Sequence, residues 1–302
     1  MNGDRPQNQR SGGQSAVFYS MSERYAIIAG NGRFPFLVLD AAREQGIDPL
    51  VVAIKEEAAS ELAAVAREIE WLSLGEVARL MELLSAQRVS KVILAGQVKH
   101  VQLFSSIKAD RTTDRVLTGM HRKNTDALIG AFVNMLEKQG MQVVDSTLFL
   151  KPLLAAVGKL TKRAPDAAEC ADVIYGREIA KKIAGMDIGQ TVIVADRACV
   201  AVEAMEGTDA AIRRASALSN GKRLVVVKVS KPRQDMRFDV PVVGVKTVRV
   251  MAECNARVLA IDAGTTLLFG REQMIAEADR AGIAIVGVED QEGESALAGS
   301  LV

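Results

Sequence analysis

Short runs of small and β-branched apolar residues alternate along the chain with longer stretches whose apolar positions recur every three to four residues. The first kind suits buried strands and the second amphipathic helices. In the first half this pattern predicts strands over 25–29, 50–54, 71–74, 89–94 and 141–144, and helices from Pro35 to near Gly46 and over 75–87, 112–120 and 124–139. In the second half it predicts a helix over 166–184, then a strand over 191–195 that turns at Asp196-Arg197 into a hairpin partner over 199–204. A helix capped by Thr208, an almost all-valine central strand over 224–229, a strand over 258–261, a helix over 271–281 and a strand over 283–288 follow. Strands alternating with helices build mostly parallel sheets. The expected fold is α/β, with a Rossmann-like, mostly parallel sheet over residues 21–147 and a mixed α/β sheet over 165–290. Between these two α/β domains a linker over 148–164 and a substrate cleft are expected.

Composition agrees and adds exclusions. With 302 residues, 49% of them apolar and 25% charged, the chain has length and apolar content for two ordinary domains. A net charge of +1 argues against general nucleic-acid binding. Cys170, Cys199 and Cys254 are odd in number, far apart and in apolar surroundings, a reducing-compartment pattern without a disulfide framework or zinc site. A cytoplasmic location is therefore expected. His100 and His121 are too few for a histidine-based metal centre and read as structural or surface residues. No apolar run approaches the roughly 20 residues that span a bilayer. Residues 1–20 are polar, lack an apolar signal-peptide core and read as an unfolded extension, with ordered pattern starting just after Met21. Residues 291–302 read as a polar tail.

Candidate chemistry concentrates where the hairpin strand meets the next helix. Glu203 falls at the strand end, Glu206 at the turn with Gly207, and Asp209 in the first helical turn, where a carboxylate favours the helix dipole. Carboxylates a few Å apart in a partly buried site repel by on the order of 4 kcal/mol. Such a cluster calls for a cation, and Mg²⁺, with Mn²⁺ or Co²⁺ as substitutes, takes oxygen ligands and brings phosphates with it. The alternative is that Asp209 only caps, Glu206 is solvated and Glu203 pairs with an arginine. Downstream, Lys228, Lys231, Arg233 and Arg237 form a basic strip that ends in Asp239, and its spacing suits an anionic ligand.

Glycines also fall at strand ends. Gly30-Asn31-Gly32 follows the first strand and Gly96-Gln97 the fourth, where open α/β sheets bind ligands. The third glycine of a dinucleotide fingerprint is missing, and Pro35 occupies that region, so an NAD-dependent oxidoreductase is disfavoured and a simple tight turn stays open. Asp126 either caps its helix or holds a sugar hydroxyl or base. The greasy segment over 148–160 either docks on the core or lines a groove for an acyl chain. No Walker lysine loop, kinase motif set or nucleophile elbow is present, so nothing points to ATP or GTP cleavage. Residue chemistry alone reaches a two-domain α/β protein with a phosphate and metal site.

Over about residues 25–288 the chain resembles the UDP-2,3-diacylglucosamine pyrophosphatase family of lipid A biosynthesis, the type unrelated to calcineurin-like phosphoesterases. The resemblance rests on Ala29-Gly30-Asn31-Gly32 followed by Pro35, on Ala95-Gly96-Gln97-Val98 and on Thr125-Asp126-Ala127-Leu128. In the second half it rests on Met186-Asp187-Ile188-Gly189-Gln190, on Glu203-Ala204-Met205-Glu206-Gly207-Thr208-Asp209, and on Lys231-Pro232-Arg233-Gln234 with Arg237-Phe238-Asp239-Val240-Pro241. It implies Mg²⁺-dependent hydrolysis to UMP and the 1-phosphate of the diacylated sugar, with water attacking the sugar-side phosphorus. It also implies a homodimer at the inner-membrane surface. The family's catalytic aspartate matches Asp239. Substrate contacts would come from Gly30, Asn31, Gly32, Gly96, Gln97, Asp126, Gly207, Thr208, Lys231 and Arg237, and metal contacts from Glu203, Glu206, Asp209 and Asp239. The first loop departs from the family in reading Gly-Asn-Gly where relatives often carry consecutive glycines. A non-catalytic nucleotide-sugar or lipid binding protein is the alternative.

Overall fold

The computed structural model describes residues 23–98 and 125–289. The extension over 1–20, the helix over 112–120, His100, His121 and the tail over 291–302 lie outside the described residues.

Strands β1 (Tyr25–Ala29), β2 (Leu50–Ile54), β3 (Ile69–Leu72), β4 (Lys91–Ala95) and β5 (Gln142–Val143) form one parallel sheet. Their order is β3-β2-β1-β4-β5. Helices α1 (Phe34–Glu44), α2 (Leu62–Val65), α3 (Val77–Ala86) and α4 (Thr125–Lys138) run between them. Every residue of β1 is buried, as expected of a strand covered by helices on both faces. Pro35 sits in the first turn of α1, where a missing N–H costs nothing. The third strand starts earlier than expected, at Ile69, and ends at Leu72.

The second half forms a mixed sheet from β6 (Gly158–Lys159), β7 (Thr191–Ala195), β8 (Ala198–Val202), β9 (Leu224–Lys228), β11 (Ala256–Asp262) and β13 (Ala284–Val288), in the order β6-β13-β11-β9-β7-β8. The three central strands β13, β11 and β9 are parallel, while β7 and β6 run antiparallel at either side. Helices α5 (Ala167–Gly185), α6 (Thr208–Leu218), α7 (Val245–Glu253) and α8 (Arg271–Ala281) complete the domain. A capping box opens α5: Asp166 accepts from the Glu169 amide and Glu169 accepts from the Asp166 amide. Thr208 does not cap α6. Gly207 holds the N-cap position at φ 85°, and the Thr208 hydroxyl is engaged elsewhere. A short separate sheet pairs β10 (Val242–Gly244) with β12 (Leu267–Phe269) in parallel.

The segment over 148–164 does not run free between the domains. Phe149, Leu150 and Ala155 are buried, and the Phe149 ring packs 5.5 Å from Tyr25. Phe149, Leu150 and Ala155 thus dock on the core, while Val157 of the same segment is half exposed. Leu154 bridges to Leu267, and β6 joins the second sheet. The first domain's core also takes in Val240, Val242, Leu267 and Phe269 from the second half, with Phe34 and Phe269 ring centroids 5.8 Å apart. The two sheets are thus welded by apolar contact, and this fixes how their loops face each other.

Candidate functional site

In the first sheet, β1 lies between β2 and β4, so the chain leaves in opposite directions at the carboxyl ends of β1 and β4. Open α/β sheets bind ligands at such a switch point. Both glycine loops sit there and hold each other. The Gly30 amide donates to the Ala95 carbonyl at 2.8 Å, and Asn31 and Gln97 exchange backbone bonds of 2.7 and 3.1 Å. A Cβ on Gly30 would stand 2.6 Å from the Gln97 carbonyl oxygen, and one on Gly96 2.6 Å from that of Asn31. Glycine is needed here for the approach of two backbones. The Asn31 side chain donates to Glu57 at 3.2 Å. Asp126 falls in α4, where its side chain lies outside the described residues.

The basic strip of the second domain reaches this switch point through Ser146. Its hydroxyl oxygen lies 2.6 Å from the Leu94 carbonyl, at the end of β4, and 2.6 Å from the Arg237 carbonyl. Arg237 itself is committed to carboxylates, gripping Asp235 with Nε and Nη2 and reaching Glu137 of α4 at 2.8 Å. The Arg237 guanidinium holds the Asp235 carboxyl below its usual range, and Asp235 raises Arg237 in return. Arg237 therefore braces the junction rather than standing open to a ligand. Gln234 closes the same loop: its Oε1 accepts from the Lys231 amide at 2.6 Å, and its Nε2 donates to the Asp239 carbonyl.

Within that loop Lys231 is the centre of charge. Its ammonium lies 3.0 Å from Asp239 and 2.8 Å from Asp187, which comes from the turn after α5. The two carboxylates are thus within about 6 Å of each other, where like charges repel by on the order of 3 kcal/mol at intermediate dielectric. The ammonium between them offsets that repulsion.

The acidic turn is organised differently from the sequence expectation. Glu203 lies just past β8 and accepts from Thr208 Oγ1 at 2.9 Å, while Lys228 donates to the same hydroxyl at 2.8 Å. Glu206 pairs with Arg214 and accepts from the Ala204 amide at 2.9 Å. The Arg214 guanidinium, helped by the backbone N–H groups of Glu206 and Ala204, lowers its carboxyl to about 2. Asp209 turns to α7, where Thr247 donates at 3.0 Å and Lys246 lies 3.1 Å away. Glu203, Glu206, Asp209 and Asp239 thus do not form one metal centre. Among the described residues no group of three or more His, Cys, Asp or Glu could hold a metal ion. The turn and first helical residues project in separate directions, and each acid has found its own partner.

Four residues outside the sequence expectation shape the loop. Asp262, buried at the end of β11, accepts from Arg177 at 2.5 Å, Lys181 at 2.8 Å and the Ser230 amide at 2.7 Å. This holds Ser230, and so Lys231 beside it, to the sheet. The signal was a lone aspartate ending an apolar strand and an Arg and Lys one helical turn apart on α5.

The donor set limits the metal chemistry. Mg²⁺ takes six oxygens and is commonly held by one or two carboxylates plus substrate phosphates. Asp239 and Asp187 share the Lys231 ammonium, so the described residues do not by themselves cage an ion here, and one held at Asp239 would need the oxygens of a diphosphate.

Comparison with known proteins bears on the chemistry. The LpxI N-terminal domain family matches residues 24–153, and the LpxI C-terminal domain family matches residues 156–286. A protein of Caulobacter vibrioides named UDP-2,3-diacylglucosamine pyrophosphatase LpxI is 33% identical over 217 residues, covering 68% of this chain and 77% of that one. The chain belongs to the LpxI family. Its two LpxI domain matches cover the two sheets and meet at Leu154, which bridges to Leu267, and the buried Ala155. The motif residues that carry Lys231, Asp239 and Asp187 all lie in the C-terminal LpxI domain, and both glycine loops in the N-terminal one. Likeness to solved structures adds nothing to this. The biotin carboxylase domain of a thermophilic 2-oxoglutarate carboxylase is 12% identical, with TM-score 0.25, and the match covers 57% of this chain and 35% of that one. A biotin carboxylase from Campylobacter jejuni in complex with β,γ-ATP is 11% identical, with TM-score 0.26, over 66% of this chain and 42% of that one. Among the described residues no helix is long and apolar enough to cross a membrane.

Proposed function

We propose that this LpxI-family chain hydrolyses the pyrophosphate of UDP-2,3-diacylglucosamine, in an Mg²⁺-dependent reaction, to UMP and 2,3-diacylglucosamine 1-phosphate. The observation that carries this reading is the Lys231–Asp239 pair at 3.0 Å, on a loop tied through Ser146 to the first domain's glycine loops. That arrangement supports a substrate lying across the domain junction, with its nucleoside part at Gly30–Gly32 and Gly96–Gln97 and its diphosphate at Lys231. The Lys231 ammonium would meet the diphosphate's negative charge. Asp239 would accept the proton of the water that attacks the sugar-side phosphorus. As the new P–O bond forms, the bridging P–O bond breaks and UMP leaves with the bridging oxygen. Asp239, with the diphosphate oxygens, would hold Mg²⁺, which supplies Lewis-acid stabilisation of the developing charge when bound.

Met186, Ile188 and Met205 are exposed large apolar residues on the two turns beside Asp187 and Glu206. In this reading the chain is a cytoplasmic protein that takes its acylated substrate from the inner-membrane surface, and these side chains would meet the acyl region there. A homodimer, implied by the family resemblance, belongs to the same reading and is checked by sedimentation.

The deciding experiment incubates the full chain with UDP-2,3-diacylglucosamine and Mg²⁺ and measures UMP. Release of UMP that stops with Asp239→Ala, while the fold is kept, supports the reading, and chelation is expected to stop it too. Binding of the UDP-sugar with no UMP release would instead make the chain a nucleotide-sugar or lipid binding protein. Full turnover without metal would remove Mg²⁺ from the account.

A further inference from the structure

We propose that Asp187 is a positioning residue that holds the Lys231 ammonium against Asp239. Its kinetic consequence rests on the hydrolase reading above; its geometry does not. Lys231 lies between two carboxylates from different parts of the chain, Asp187 at 2.8 Å and Asp239 at 3.0 Å. A lysine head on a flexible four-carbon stem is poorly located by one partner, and a second partner on another element restrains it.

The turn that brings Asp187 is itself held in place. Asp187 is left-handed, at φ 59°, a conformation that among non-glycine residues Asn and Asp adopt most readily. Its amide donates to the Ala184 carbonyl at 3.1 Å, closing α5. Gly189 packs so tightly on the Glu203 carbonyl that any Cβ would overlap it. On the near side, a Cβ on Gly185 would stand 3.6 Å from the Pro232 ring, next to Lys231. Local backbone strain of this kind persists where surrounding structure over-determines it, and it clusters at functional sites. Asp187 therefore presents its carboxylate to Lys231 from a fixed point. The ammonium stays beside Asp239 as negative charge grows on the diphosphate, instead of swinging away with the substrate.

Asp187→Asn tests this, because asparagine keeps the left-handed turn and nearly the same volume while removing the charge. Loss of placement at a reacting centre costs about tenfold to a hundredfold in kcat. That loss is expected with little change in KM for UDP-2,3-diacylglucosamine and an unchanged melting temperature. In a Lys231→Met background, Asp187→Asn is expected to cost nothing further, because its effect passes through Lys231. An equal loss with and without Lys231, or no loss in kcat, overturns the proposal. The second measurement needs no activity: the rate at which acetic anhydride modifies Lys231, read by peptide mass spectrometry. Asp187→Asn is expected to raise that rate several-fold relative to Lys181 and Lys228, and an unchanged rate overturns the proposal. Should Asp187→Asn not fold, Asp187→Gly, which tolerates the same turn, takes its place in the labelling. If the unmutated chain releases no UMP, the hydrolase reading falls and the labelling alone decides on Asp187.

Discussion

Ser146 and Arg237 meet across the domain junction, with the Ser146 hydroxyl oxygen 2.6 Å from the Arg237 carbonyl and equally close to that of Leu94. The Ser146 amide adds a bond of 2.9 Å to the Met236 carbonyl. Ser146 is 1% exposed, so no water replaces its hydroxyl from outside. Ser146→Ala removes the one hydroxyl hydrogen that these two part-buried carbonyls share, at a cost of about 1–3 kcal/mol. Urea unfolding measures that loss. Hydrolysis is expected to fall as well, because the loop bearing Lys231 and Asp239 loses its tie to β4.

Asp262 stands at the opposite side of the same loop. It is buried with Arg177, and Lys181 completes the group. Removing one partner of a buried ion group leaves uncompensated charge and costs about 3–5 kcal/mol. Asp262→Ala is therefore expected to lower the denaturation midpoint more than any exposed charge removal, such as Glu178→Ala on α5, whose pair with Lys182 is solvated.

The glycine loops separate two effects of a methyl group. Gly32 is at φ 91° with nothing within 4 Å of a would-be Cβ, so Gly32→Ala carries only backbone strain, about 1–2 kcal/mol. Gly96 is at φ 96° and its would-be Cβ also strikes the Asn31 carbonyl, so Gly96→Ala must part the two loops. Thermal denaturation should rank Gly96→Ala as the more damaging. Uridine nucleotide affinity, measured by calorimetry, should fall more for it too.

Glu206 has a pH signature. With Arg214 lowering it from 4.5 to about 2, its contribution to stability is fully present above pH 4.5 and is lost as pH falls toward 2. Glu206→Gln is expected to melt below the unmutated chain at pH 7. The gap should close between pH 4.5 and 2, and a gap that persists at pH 2 would assign the difference to packing instead.

The central strands were legible because a strand covered on both faces must be apolar throughout. Residues 25–29, 192–195 and 224–227 carry that mark, and α8 is bounded by Gly270 and Gly282, both left-handed. β10 and β12 were not legible, since three residues give no period and their pairing is made by tertiary contact. The Lys231–Asp239 pairing was within reach of the sequence because the two residues belong to one short charged strip. The acidic turn was misread for the same reason: nearness along the chain between Glu203 and Asp209 does not make their side chains converge. Asp187 and Asp262 act through partners far away in sequence, so a local signal such as the lone aspartate ending β11 marks an unusual residue without naming its partner.

The way Val240, Val242, Leu267 and Phe269 enter the first domain's core bears on how the protein can be handled. Cutting the chain near residue 155 would give two fragments that each match one LpxI domain, yet the first would lose part of its own interior and the second would carry that greasy part bare. Halves made separately should therefore clump, and halves made together should find each other and rejoin.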